Sequence, residues 1–103
     1  MGVVMRIIQR FDPASEGEFM ILERKFSDLE KNDSSFPKGI RMQPISSAEP
    51  VNTLIWQSEF PDMASAEKAL SFFEGDKEHE ELYRKQVKMM NKIRVEFYKT
   101  LDF

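Results

Sequence analysis

His79 is the single histidine of the chain and the side chain best suited to proton transfer near neutral pH. Its unperturbed pKa of about 6.5 lets it act as a general base or a general acid. It shares one face of a predicted helix with Leu82, Tyr83, Gln86 and Met90, so we expect it to face the protein interior. No second histidine or nearby acidic cluster at ligand spacing supports a metal site. The alternative is a structural histidine at a helix start, packed beside Asp76.

A second group of polar residues occupies alternate positions along predicted strands. It comprises Arg6, Arg41, Gln43, Gln57, Arg94, Glu96 and Tyr98. Polar groups that converge in a mainly apolar cavity are typical of a small-ligand site, and a guanidinium suits a carboxylate or a phenolate. Tyr98 is a second candidate for proton transfer, or a stacking partner for an aromatic ring. The alternative is a set of Arg–Glu salt bridges that fixes the register of a dimer.

Composition excludes several classes of protein. The chain has no cysteine, so it has no disulfide, no thiolate nucleophile and no cysteine-bound metal. Its net charge of −3 disfavours general nucleic-acid binding, and no apolar run is long enough to span a membrane. We find no glycine-rich phosphate loop and no nucleophile elbow. A cytoplasmic protein that needs no metal or other cofactor is the expectation.

Apolar periodicity predicts the elements that carry these residues. The predicted strands are 3–11, 40–45, 53–60 and 93–103. The first helix has start signals at Asp12-Pro13 and in a Ser15–Glu18 capping box, and runs to about Lys31. The second is capped by Asp62 and interrupted at Gly75, and a further helical segment begins at Asp76.

The resulting order βαββαβ predicts one ferredoxin-like α+β domain over residues 1–103. Its sheet has four antiparallel strands, with the first and third in the middle and the helices on one face. Sorting the strands by alternation gives an apolar face for the helices: Val3, Met5, Ile7, Phe11, Ile40, Met42, Leu54, Trp56, Phe60, Ile93, Val95, Phe97 and Leu101. The other face mixes the polar group above with Val4, Ile8, Ile45 and Ile55. Such a mixed face predicts a two-fold homodimer with the sheets face to face.

Two segments carry a resemblance to a known superfamily. The stretch Trp56–Ala69 and the segment Asp76–Leu82, with its histidine, resemble the dimeric α+β barrel superfamily, especially its NIPSNAP-like and antibiotic-biosynthesis-monooxygenase-like members. The resemblance implies a ferredoxin-like fold and a homodimer whose two sheets enclose a barrel. Members include cofactor-independent oxygenases, haem-degrading enzymes and isomerases.

The functional expectation is a cofactor-independent, monooxygenase-like enzyme that oxidises a small aromatic or polyketide-like compound. In that scheme an arginine holds the substrate oxyanion, and His79 or Tyr98 moves a proton. The alternative is a homodimer module that binds a small ligand without catalysis, or one with a purely structural role.

Overall fold

The computed structural model describes residues 2–103 and has the predicted order of elements. Its helices and strands are β1 Val3–Phe11, α1 Glu16–Asn32, β2 Ile40–Met42, β3 Thr53–Phe60, α2 Met63–Gly75, α3 Lys77–Gln86 and β4 Met90–Lys99. Short 3-10 turns, Pro13–Ser15 and Val87–Met89, precede α1 and β4. The strands form one antiparallel sheet in the order β2-β3-β1-β4. The predicted ferredoxin-like α+β fold is confirmed.

Aspartate side chains cap the first turns of α2 and α3. Asp62 accepts from the backbone N–H of Ser65 at 2.8 Å, and Asp76 accepts from that of His79 at 3.0 Å, as the sequence predicts. The predicted capping box is wrong, because Ser15 makes no side-chain cap bond. Asp12 caps the preceding 3-10 turn instead, through the N–H of Ala14.

The predicted faces of β1, β3 and β4 agree with the register, but that of β2 is inverted. Ile7 lies opposite both Trp56 and Val95, and Arg41 lies opposite Trp56, so all four residues share the helix face. Ile40 instead lies opposite Gln57 on the other face, here called the open face, and is 57% exposed. The physical reason is a close approach at Gly39, the residue before β2: a Cβ there would lie 2.4 Å from the Trp56 ring, so no larger side chain fits at this position.

The core lies between the two central strands and the helices. One buried cluster contains Met5, Phe36, Trp56, Ala69 and Phe73, and a second contains Phe11, Phe19 and Leu54. The helix-facing residues of the edge strand β4 were also expected in the core, but Ile93, Val95 and Phe97 are 36–43% exposed. The helices therefore leave this edge of the sheet only partly covered.

The β2–β3 connection is longer than predicted and crosses the open face. The strand expected over 40–45 ends at Met42, and Ile45 is fully exposed, because Pro44 has no N–H to continue the ladder. Glu49 in this loop forms ion pairs with Arg94 on β4 and with Arg10 on β1. At the chain end, β4 stops at Lys99, so Leu101 lies outside the sheet and is 59% exposed. Among residues 2–103, no helix has the length and apolar character required to cross a bilayer.

Candidate functional site

A cavity of about 330 Å³ lies between the helix face of the sheet and all three helices. Each strand contributes to its floor, through Ile7, Arg41, Trp56 and Val95. The helices supply aromatic and apolar walls at Phe26, Leu70, Phe73 and Tyr83, and polar groups at Glu23, Glu30, Glu74, Glu80, His79 and Gln86. Ligand cavities in proteins commonly measure about 300–1,000 Å³ and combine apolar walls with a few polar groups.

His79 lies on the wall of this cavity, inside an aromatic cluster. Its ring centroid is 4.7 Å from that of Phe26, 4.9 Å from that of Phe73 and 6.3 Å from that of Phe36. Burial lowers the pKa of His79, although the negative charges of Asp76, Glu23 and Glu80 oppose that shift. The imidazole is therefore neutral at pH 7, with a nitrogen lone pair that can accept a proton or a hydrogen bond.

Arg41 also lines the cavity, and all three of its nitrogens bind carboxylates. Its Nε donates to Glu23 at 2.5 Å, and its two terminal nitrogens donate to Glu30 at 3.1 and 2.8 Å. Burial would lower the pKa of Arg41, but the hydrogen bonds and charges of Glu30 and Glu23 outweigh it and raise the pKa. The prediction that Arg41 shares a face with Arg6 and Tyr98 is wrong, because the inverted register of β2 turns it to the helices.

Gln86 and Glu23 belong to the same polar network and were not singled out as functional residues in the sequence. Gln86 is fully buried, and its Nε2 donates to Glu23 Oε1 at 2.8 Å and to the backbone oxygen of Phe19 at 3.4 Å. Its Oε1 has no hydrogen-bond partner among the residues that the structure describes. The sequence does contain one indication of Gln86: it is a glutamine on the helical stripe of His79, whose other members are apolar or aromatic. The partner Glu23 lies 63 residues away, and no local pattern indicates it.

Five of the remaining predicted site residues, Arg6, Gln57, Arg94, Glu96 and Tyr98, lie on the other side of the sheet. On the open face, Arg6 Nε donates to Gln57 at 2.7 Å, and its guanidinium carbon is 5.1 Å from the centroid of the Tyr98 ring. Tyr98 donates to Glu96 at 2.6 Å, and Glu96 also accepts from Arg94 at 2.8 Å. Gln43 lies just beyond β2, where its Nε2 donates to the backbone oxygen of Val51 at 3.0 Å. His79 and Tyr98 are therefore separated by the sheet and cannot act on one substrate atom within this chain.

The hydrogen bonds among Arg94, Glu96 and Tyr98 shift the pKa values of these three groups. The hydrogen bond from Tyr98 and that from Arg94 hold the pKa of Glu96 below its usual value. The bond to Glu96 also raises the pKa of Tyr98, so the phenol keeps its proton at pH 7. The pKa of Arg94 is raised by Glu49 and then by Glu96. Arg94 is therefore neutralised by carboxylates of its own chain.

No metal centre is evident in residues 2–103, because no three histidine, cysteine or acidic side chains are grouped there in a way that could hold an ion. The chemistry of the cavity is that of one neutral imidazole, an arginine paired with two carboxylates, two further glutamates and aromatic walls.

Comparison with solved structures finds this architecture in proteins that share little sequence with the chain. A NIPSNAP family protein from Agrobacterium tumefaciens matches with a TM-score of 0.79 at 12% identity, over 99% of this chain and 88% of that protein. A NIPSNAP-like domain protein from Burkholderia xenovorans gives 0.78 at 15% identity, over 99% and 87%. The chain has the NIPSNAP-type fold. A candidate antibiotic biosynthesis monooxygenase from Caulobacter crescentus shares the NIPSNAP-type fold, with a TM-score of 0.70 at 14% identity over 98% and 91%.

The resemblance identified in the sequence is thus confirmed at the level of fold. Comparison of the sequence with protein-family models finds no match, and comparison with curated proteins finds no significant match. One architecture hosts many activities, so the shared fold assigns no function, and the function depends on the residues that line the cavity.

Proposed function

We propose that this protein binds a small, flat, predominantly apolar molecule in the cavity between the sheet and the helices. The observation that carries the proposal is the cavity of about 330 Å³, which is lined by the aromatic rings of Trp56, Phe73 and Tyr83. Aromatic walls favour a planar ligand, because ring faces and edges pack against it in offset or T-shaped geometry.

The positions of the charged side chains favour ligand binding without catalysis over the expected oxygenase activity. That mechanism needs an arginine that holds a substrate oxyanion. Arg6 and Arg94 lie on the open face, and Arg41 in the cavity already binds Glu23 and Glu30. A substrate anion in the cavity would therefore meet carboxylates before it met an unoccupied cation.

The test is calorimetric titration with naphthol, a flat neutral aromatic. Val95→Trp places a larger side chain at the partly exposed β4 wall of the cavity, and we expect it to weaken naphthol binding at least about tenfold. Val51→Trp is the matched control, because Val51 is 66% exposed in the β2–β3 loop and does not line the cavity. Naphthol binding that Val95→Trp leaves unchanged would place the ligand elsewhere and contradict the proposal.

A second candidate function, monooxygenase-like catalysis at the same cavity, is favoured by the position of His79. Its neutral imidazole faces the space where a bound hydroxyarene would lie, and can take the hydroxyl proton. The electron-rich ring then reacts with dioxygen, which converts the hydroxyarene into a quinone and releases one water. Both electrons of each broken C–H and O–H bond pass to oxygen, so no other reductant is required.

Oxygen consumption tests this second candidate. We expect dioxygen uptake with a dihydroxynaphthalene in the presence of the protein, and loss of that uptake in His79→Gln. Uptake that is no faster than in buffer, or that is equal in His79→Gln, would leave the cavity as a binding site without oxygenase chemistry.

The open face is the proposed homodimer interface. Exposed apolar side chains remain there, with Ile40 at 57% and Tyr98 at 46% exposure, beside Val4 and Ile55. Arg94 is ion-paired with Glu49 and Glu96, and Arg6 is hydrogen-bonded to Gln57, so these two arginines already have partners within the chain when the face is covered. This arrangement supports the sheet-to-sheet dimer that the sequence predicts.

A further inference from the structure

The polar lining of the cavity is dominated by hydrogen-bond acceptors. Four glutamates, Glu23, Glu30, Glu74 and Glu80, line it, and Arg41 is the single arginine or lysine among its described lining residues. Because Arg41 binds two of those carboxylates, the group of three carries a net negative charge. His79 adds no positive charge, since its pKa is lowered by burial.

An independent observation points to the same preference. The fully buried Gln86 has an unpartnered Oε1, which is an acceptor that lacks a donor. The oxygen and nitrogen of this amide can be told apart from their surroundings. The other end of the amide contacts the Glu23 carboxylate, which accepts hydrogen bonds, so that end must be the NH2 group. A buried acceptor without a donor costs free energy until a donor reaches it.

Among the buried lining atoms of residues 2–103 that lack a hydrogen-bond partner, the donor is Trp56 Nε1, and it belongs to a ring edge covered by the chain itself. A Cβ at Gly39 would lie 2.7 Å from Trp56 Nε1, so the backbone of Gly39 rests against that part of the indole. The indole N–H therefore does not offset the excess of acceptors.

We propose that the cavity selects an arylalkylamine, a ligand with a flat aromatic body and a protonated amine, and rejects the corresponding carboxylate. The aromatic walls hold the ring, and the ammonium group donates to the carboxylates and to Gln86 Oε1. Cations are also attracted to the faces of aromatic rings, which Phe73 and Tyr83 supply. This inference rests on the proposed small-molecule site and specifies the class of its ligand.

Three probes with the same ring and spacer test it: naphthylethylamine, naphthylethanol and naphthylpropanoate, titrated calorimetrically at neutral pH. We expect the amine to bind at least about tenfold more tightly than the propanoate, with the alcohol between them. Glu80→Gln should reduce the ratio of amine to propanoate affinity several-fold, and should change the affinity for the uncharged naphthylethanol less than that for either ion. Glu67→Gln is the control, because Glu67 is exposed on α2 and does not line the cavity.

The outcomes separate the two proposals. If the alcohol binds but the amine has no advantage over the propanoate, the charge preference is overturned and the small-molecule site stands. If the amine has its advantage but Glu80→Gln and Glu67→Gln behave alike, the preference does not arise in this cavity and the inference is overturned. If none of the three probes binds, the proposed binding function fails, and the inference fails with it.

Discussion

Glycine at position 39 decides which face of β2 meets the helices. A Cβ at Gly39 would lie 2.4–2.7 Å from three atoms of the Trp56 indole, a rigid ring held in the core. Gly39→Ala should therefore lower the free energy of unfolding by about 1–3 kcal/mol. Gly17→Ala is the matched control, because its Cβ meets nothing within 4 Å and alanine favours the helix by up to about 1 kcal/mol. Equal denaturation midpoints for the two variants would show that position 39 tolerates a side chain.

His79 makes stability depend on pH in a defined direction. Its pKa is lowered in the folded state, so below the unfolded-state value of about 6.5 the unfolded chain binds more protons than the folded chain. Stability should be unaffected by this group above that pH and should fall as pH drops through it. We expect His79→Gln to show a smaller loss of urea midpoint between about pH 7.5 and about pH 5.5 than the unsubstituted protein. Equal losses would mean that the imidazole is not buried in its neutral form.

At the scale of elements, the β2–β3 loop covers part of the open face. Glu49 pairs with Arg10 and Arg94, which flank Ile8 on that face, and Ile8 is only 5% exposed. Glu49→Ala should release the loop, which limited proteolysis would detect as faster cleavage within residues 43–52. Glu67→Ala on α2 should leave the cleavage rate unchanged. Unchanged cleavage in both variants would show that the loop is held by other contacts.

The same elements show what the sequence could predict. Long strands such as β1 and β3 were assigned the correct faces, because eight or nine alternating residues fix the pattern. The three residues of β2 could not fix it, since the register depends on Gly39 meeting Trp56, which lies on another strand. The exposure of β4 and the contacts among Arg41, Glu23 and Gln86 likewise depend on how distant helices cross the sheet. The candidate site is therefore only partly predictable: the sequence places His79 correctly on a protein-facing stripe but assigns Arg41, which shares the cavity with His79, to the wrong face of the sheet.

At the scale of the whole molecule, two partly apolar surfaces remain, and one variant on each decides which forms the dimer. Ile55 lies on the open face, and Val95, which is 39% exposed, lies on the helix side of β4. Light scattering at micromolar concentration should give about twice the chain mass of 12.1 kDa. Ile55→Glu should yield a monomer with unchanged circular dichroism, because two copies would bring buried carboxylates together across the two-fold axis. Val95→Glu should remain dimeric. A mass of one chain for the unsubstituted protein would contradict the dimer, and dissociation by Val95→Glu alone would move the interface to the mouth of the cavity.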